Sequence, residues 1–248
     1  MRVYIVSDFH LSFLPKKEEE KQRNKKVIDF LGSLVSKADV LILAGDIFDL
    51  WYDWSNTIIK GYFPVLKKLA DLNEAGCRLI FIAGNHDFWF GNFLKSYLNC
   101  EVYLDNFTET IDNTKVFVAH GDLYTSNDFR YKLFRNLLRH PIVRFLFSIL
   151  HPEIALKIGR LISRTSRARN PLPDNNETLR TNGLDRFAAS LASSYDLIVM
   201  GHSHTPKQKN INNAIYINTG DWVINSSYVL MSDGKVELLH YPNDKVSG

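Results

Sequence analysis

Val40-Leu41-Ile42-Leu43-Ala44-Gly45-Asp46 is a short apolar run that stops on a glycine and an aspartate. A short β-branched, apolar run of this kind reads as a strand. The pattern recurs outward in both directions. Val3–Val6 precedes Asp8-Phe9-His10, and residues 79–83 precede Gly84-Asn85-His86-Asp87. Further on, residues 116–119 precede His120-Gly121-Asp122, and Leu197–Met200 precedes Gly201-His202-Ser203-His204. Helical patterns at about 18–36 and 57–75 separate the first three runs, which gives a βαβαβ opening. Strand-like runs at Ala214–Asn218, 227–231 and 236–240 follow at hairpin spacing. Polar clusters at the carboxyl ends of such strands converge on the crevice where α/β sheets bind ligands.

The chain has 248 residues, of which 45% are hydrophobic and 23% charged, so disordered, fibrous and disulfide-scaffold classes are excluded. Its length suits one domain, 1–248, carrying an insertion. Between about 127 and 191 the strand pattern stops. Apolar residues there recur at helical spacing, as in Phe134, Leu137, Leu138, then Ile142, Phe145, Leu146, Ile149, then Ile154, Ile158, Leu161, Ile162. An inserted helical cap is expected, kinked or broken at Pro141 and Pro152, with a return loop at 170–176. Residues 129–169 hold ten Lys or Arg against one acid, a net +9 within a whole-chain +3, so the remainder carries −6. That asymmetry points to an anionic partner. Nucleic acid is not expected, because the cap lacks polar base-reading residues and the rest is acidic. Cys77 and Cys100 read as buried thiols in a reducing compartment, neither a signal peptide nor a spanning helix is expected, and a cytoplasmic location is the expectation.

The chemistry of the clusters is specific. Asp8, His10, Asp46, Asn85, His120, His202 and His204 offer carboxylate, amide oxygen and imidazole without thiolate. This donor set suits Mn²⁺, Fe or Zn²⁺ better than Ca²⁺ or a structural Zn²⁺. Seven donors exceed the need of one ion. Two ions about 3.5 to 4 Å apart, sharing a carboxylate, are the arrangement used for in-line attack on phosphorus. His140, His151 and His240 have no partner cluster and read as structural.

Taken together, Asp8-x-His10, Gly45-Asp46, Gly84-Asn85-His86-Asp87, His120 and Gly201-His202-x-His204 resemble the motif set of the calcineurin-like metallophosphoesterases. The resemblance implies a four-layer α-β-β-α sandwich of two mixed sheets. It implies two divalent ions, most simply Mn²⁺, one on Asp8, His10 and His204, the other on Asn85, His120 and His202, with Asp46 bridging. His86 would protonate the leaving group or stabilise a phosphoryl oxygen, and Asp87 would orient it. A narrower resemblance, carried by His120-Gly121-Asp122-x5-Asp128-x2-Tyr131-x2-Phe134-Arg135, Asp46-Ile47-Phe48-Asp49-Leu50-Trp51 and Asn218-Thr219-Gly220-Asp221-Trp222, is to the UDP-2,3-diacylglucosamine hydrolases of lipid A synthesis. It implies a nucleotide-linked glycolipid substrate, acyl chains held by the cap, and contact with the inner membrane surface. Asp128, Tyr131, Arg160, Arg164 and Arg167 would then face the substrate. The best-known members of that group carry an arginine where this chain has His86, which keeps open an alternative: another phosphodiester, nucleotide or lipid phosphate.

Overall fold

The computed structural model describes residues 1–125, 135–168 and 175–242, and the side chains of 161–180 lie outside the description. Eleven described strands form two sheets. The first has the order β11-β10-β1-β2-β3-β4, built from β1 (Val3–Val6), β2 (Val40–Ala44), β3 (Arg78–Ile82), β4 (Glu101–Tyr103), β10 (Ser227–Ser232) and β11 (Lys235–His240). The second has the order β5-β6-β7-β9-β8, built from β5 (Asn106–Ile111), β6 (Thr114–Ala119), β7 (Leu197–Met200), β8 (Lys207–Ile211) and β9 (Ala214–Asn218). Both sheets are mixed: β1 to β4 and β6, β7 and β9 run parallel, while β10, β11, β5 and β8 pair antiparallel.

The two-residue alternation of strand side chains builds the layers. Val3, Ile5, Val40, Ile42, Ile80 and Ile82 face Val116, Val118, Leu197, Val199 and Ile217 between the sheets. Tyr4, Val6, Leu41, Leu43 and Phe81 face the other way, onto α1 (Glu18–Leu34) and α2 (Phe63–Glu74). Phe117, Ile198, Met200 and Tyr216 line the outer face of the second sheet with Leu184 and Ala188. Those two belong to α6 (Asn175–Leu191). The result is the expected α-β-β-α sandwich, and both cysteines are buried thiols within the first sheet's outer core.

The remaining helices are α3 (Phe93–Leu98), α4 (Pro141–Ser148) and α5 (Pro152–Ala168). A helical turn at 135–138 followed by α4, α5 and α6 forms the crossover between parallel β6 and β7. Pro141 and Pro152 break the helical stretch as expected: each is the first residue of a new helix, where a missing N–H costs nothing. Among the described residues, no helix is long and apolar enough to cross a membrane.

Candidate metal centre

Each motif sits immediately after a strand, and the backbone there is unusual. Asp8, His10, Asp46, His202 and His204 all have left-handed backbone, with φ between 46° and 66°. Such residues cost about 1–3 kcal/mol each and persist where the surroundings over-determine them, which is characteristic of functional sites. Gly84 and Gly201 are required by close approach. A Cβ on Gly84 would collide with Asp46 Oδ1, and one on Gly201 with Ser7 Oγ.

The two central carboxylates are used in the same divided way. Asp8 Oδ2 accepts from Ser7 Oγ and from the His202 N–H at 3.0 Å, while buried Asp8 Oδ1 makes no hydrogen bond. Asp46 Oδ1 accepts the His86 N–H at 2.8 Å. Asp46 Oδ2 turns instead towards the imidazoles of His10, His86 and His120, at 3.9, 3.9 and 3.5 Å.

Around Asp8 Oδ1 stand His204 Nε2 at 3.2 Å and His10 Nε2 at 3.7 Å, and these two nitrogens face each other across 3.3 Å. Around Asn85 Oδ1 stand His120 Nε2 at 3.0 Å and His202 Nδ1 at 3.1 Å. His120 Nδ1 lies 3.1 Å from the Ala44 carbonyl, so it carries the proton and Nε2 of the neutral ring offers a lone pair. Lone-pair atoms therefore point at one another on both sides of Asp46. A divalent cation on each side satisfies all of them, so the residues fit two ions. Asp8, His10 and His204 each place a ligand atom within 4.8 Å of the others, as do Asp8, Asp46 and His120.

Without ions, protons take the cations' place. Burial alone lowers the His120 pKa, but Asp46 beside it outweighs burial and raises it to about 10. His204 is raised in the same contest by Asp8. Burial pushes the carboxyls of Asp8 and Asp46 up, yet the charges of His204 and His120 respectively hold both below the usual range. For Asp87, burial and the charge of Asp46 win, and the carboxyl rises to about 8.

Two carboxylates that the sequence reading left without a role stand behind the imidazoles. Asp49 Oδ1 is 3.6 Å from His10 Nδ1, and Asp221 Oδ2 is 3.6 Å from His204 Nδ1. A carboxylate behind a ligating histidine fixes its ring and raises its basicity. An available signal was their place inside the motif extensions, three residues after Asp46 and three after Asn218.

His86 lies at the edge of the cluster, with Nδ1 3.2 Å from the Asp49 carbonyl oxygen. The Asp87 carboxylate accepts from the N–H groups of Asp46, Ile47, Phe48 and Gly84 at 2.7 to 3.1 Å, so it knits two motif loops together. Arg160 donates to the Leu14 carbonyl at 3.1 Å. Arg164 and Arg167 fall in α5 but their side chains lie outside the description, as do Asp128 and Tyr131 altogether. His140 and His151 are structural as expected, each accepting a backbone N–H at a helix start.

Carboxylates, an amide and imidazoles gathered on strand ends of a two-sheet sandwich define the class: a hydrolase centre built for a pair of divalent ions. The chain belongs to the calcineurin-like phosphoesterases, whose family pattern matches residues 1–206, and it is accordingly a metal-dependent phosphoester hydrolase. It is similar to a UDP-2,3-diacylglucosamine hydrolase of Porphyromonas gingivalis, 26% identical over 98% of both chains. The corresponding Haemophilus influenzae protein is 26% identical over 93% of this chain and 94% of its own. Among solved structures, an archaeal phosphodiesterase superimposes with a TM-score of 0.50 at 15% identity, covering 96% of this chain and 99% of that one, which supports the fold.

Proposed function

We propose that this phosphoesterase hydrolyses the pyrophosphate bond of UDP-2,3-diacylglucosamine, releasing 2,3-diacylglucosamine 1-phosphate and UMP. The structural observation that carries the substrate reading lies in the crossover, where Ile142, Phe145, Leu146, Ile149, Ile154 and Ile158 are all at least 40% exposed. Large apolar side chains left in solvent on the crossover helices suit an acylated substrate; a soluble nucleotide has no use for them. The near full-length similarity to proteins named for this activity supports the same reading.

Asp8, His10 and His204 would hold one ion, Asn85, His120 and His202 the other, and Asp46 Oδ2 would serve both. Bound there, two divalent ions, Mn²⁺ in this reading, supply Lewis acidity and lower the pKa of water. The chain's own part is to aim the imidazoles and fix their tautomers, through Asp49, Asp221 and the Ala44 carbonyl. His86, its Nδ1 occupied by the Asp49 carbonyl, would present Nε2 to the departing phosphate oxygen. Residues 127–191 would form a cap over the acyl chains, with Asp128, Tyr131, Arg160, Arg164 and Arg167 on the substrate side. The apolar and basic face also suits peripheral contact of a cytoplasmic enzyme with the inner membrane surface.

His86 itself favours a second reading, hydrolysis of a different phosphodiester, because the best-known members of the hydrolase group carry arginine there. Purified, Mn²⁺-loaded protein separates the two. UMP release from UDP-2,3-diacylglucosamine that depends on the acyl chains is expected, and turnover of bis-p-nitrophenyl phosphate alone would discard the glycolipid.

A further inference from the structure

The cap's cations invite assignment to substrate phosphate, but Arg139 is spent elsewhere. Its Nη2 donates to the Gly84 carbonyl at 3.1 Å and its Nη1 to the Leu104 carbonyl at 3.3 Å. The guanidinium also lies over the Phe88 ring, 5.1 Å from the centroid. Gly84 and Asn85 share a peptide plane, so the carbonyl that Arg139 grips belongs to the same rigid unit as the Asn85 N–H. The Asn85 side chain stands between His120 and His202, and the next residue is His86.

Neighbouring contacts seat this arginine. Trp89 Nε1 donates to the Leu138 carbonyl at 3.1 Å, Arg144 Nη2 to the Phe90 carbonyl at 2.7 Å, and Tyr52 Oη to the Arg144 carbonyl at 3.1 Å. Tyr52, Trp89, Phe147 and Ala155 form a buried apolar cluster beneath them. The crossover is thus fastened to residues 84–90 along their length, and Arg139 holds the end nearest the metal centre.

We propose that Arg139 is a positioning residue that couples seating of the crossover to the second ion site. By fixing the Gly84–Asn85 peptide plane, it holds Asn85 between His120 and His202 and sets the approach of His86. It acts on the ion pair whichever phosphoester is cleaved. The inference rests on the dinuclear reading but not on the glycolipid.

The test uses the full chain and two readouts. Mn²⁺ binding to EDTA-stripped protein is followed by competition with a fluorescent chelator, in the absence of substrate. Turnover is followed with bis-p-nitrophenyl phosphate at saturating Mn²⁺. Arg139→Ala is expected to weaken one of the two Mn²⁺ sites by roughly 10-fold or more and leave the other within about twofold, as losses behind metal ligands do. It should lower kcat for the soluble diester with little change in KM, and Arg139→Lys should fall between it and the parent. Lys157→Ala, an exposed cation on the same crossover, should change neither readout. A contact to substrate phosphate would instead raise KM for the diester and leave both Mn²⁺ sites unchanged, which would overturn the proposal. Unchanged Mn²⁺ sites, or equal weakening of both with a lowered melting temperature, would overturn the proposal. If Arg139→Ala does not fold, the Arg139→Lys isotherm decides by the same split. Failure of the glycolipid reading shows separately, as absent UMP release by the parent protein.

Discussion

Three of the ligand imidazoles are aimed from behind, His10 by Asp49, His204 by Asp221 and His120 by the Ala44 carbonyl. Asp8, His10, Asp46, Asn85, His120, His202 and His204 were legible because strand-end polar clusters with imidazole and carboxylate are chemically conspicuous. Their left-handed backbone was not, since aspartate and histidine, though enriched at positive φ, adopt it too seldom for a sequence to announce it. Nor was Asp221, which outwardly is one more acid in a loop. Its Oδ1 accepts the N–H groups of Ile224 and Asn225 at 3.1 and 3.0 Å, leaving Oδ2 for His204. Asp221→Asn can keep the loop contacts on its remaining oxygen but loses the acceptor behind His204. Mn²⁺ affinity or turnover should fall by about 10- to 100-fold with little change in melting temperature. A melting temperature that drops in step with activity would make Asp221 a loop residue only. Gly84→Ala should behave differently, since its Cβ drives into Asp46 Oδ1: the expected result is loss of both Mn²⁺ uptake and turnover, and retention of either would contradict the close approach.

At the scale of the element, what the sequence showed well were the buried parallel strands, whose apolar runs need no alternation to be seen. It missed β4, β5, β8 and α3. β8 reads Lys207-Gln208-Lys209-Asn210-Ile211, an edge strand whose exposed side chains carry no apolar period. The helix expected over 57–75 begins at Phe63, because Pro64 prefers a first turn and a short 3₁₀ turn, Lys60–Tyr62, precedes it. The basic character of the crossover was legible, but its use was not. Arg135, nearly buried, donates to Asp122 Oδ2 at 2.8 Å and to Asp105 Oδ1 at 3.2 Å, so one of the ten cations anchors the crossover to the end of β6. Asp122→Ala leaves the buried guanidinium only the exposed Asp105, so it should cost about 3 kcal/mol in urea unfolding, the low end for breaking a buried pair. Faster amide exchange over 135–148 should accompany it, and a loss under about 1 kcal/mol would mean that the pair is solvated.

At the scale of the whole molecule, the buried charges make stability, pH and metal one linked problem. His120 titrates near 10 in the metal-free fold against an ordinary 6.5, so its contribution is complete below 6.5 and disappears as pH rises through about 10. His204 is shifted in the same direction. Asp87, raised to about 8 from 3.8, also contributes fully below 3.8 and loses that contribution as pH climbs through about 8. Asp8 and Asp46 work oppositely: held below 3.8, they stabilise above it and cease to do so on acidification. The metal-free protein should therefore be most stable in mildly acid solution and weaken steadily towards pH 10. Ligation demands the reverse protonation, neutral imidazoles and ionised carboxylates, so Mn²⁺ must expel protons on binding and bind more tightly as pH rises. The gap in melting temperature between Mn²⁺-loaded and EDTA-stripped protein should accordingly widen from pH 6.5 upward. Titration calorimetry in buffers of different ionisation enthalpy should register proton release at neutral pH. A pH-independent gap together with no proton release would mean that His120 and His204 are already neutral without metal, and that the central carboxylates are held by something other than their imidazolium neighbours.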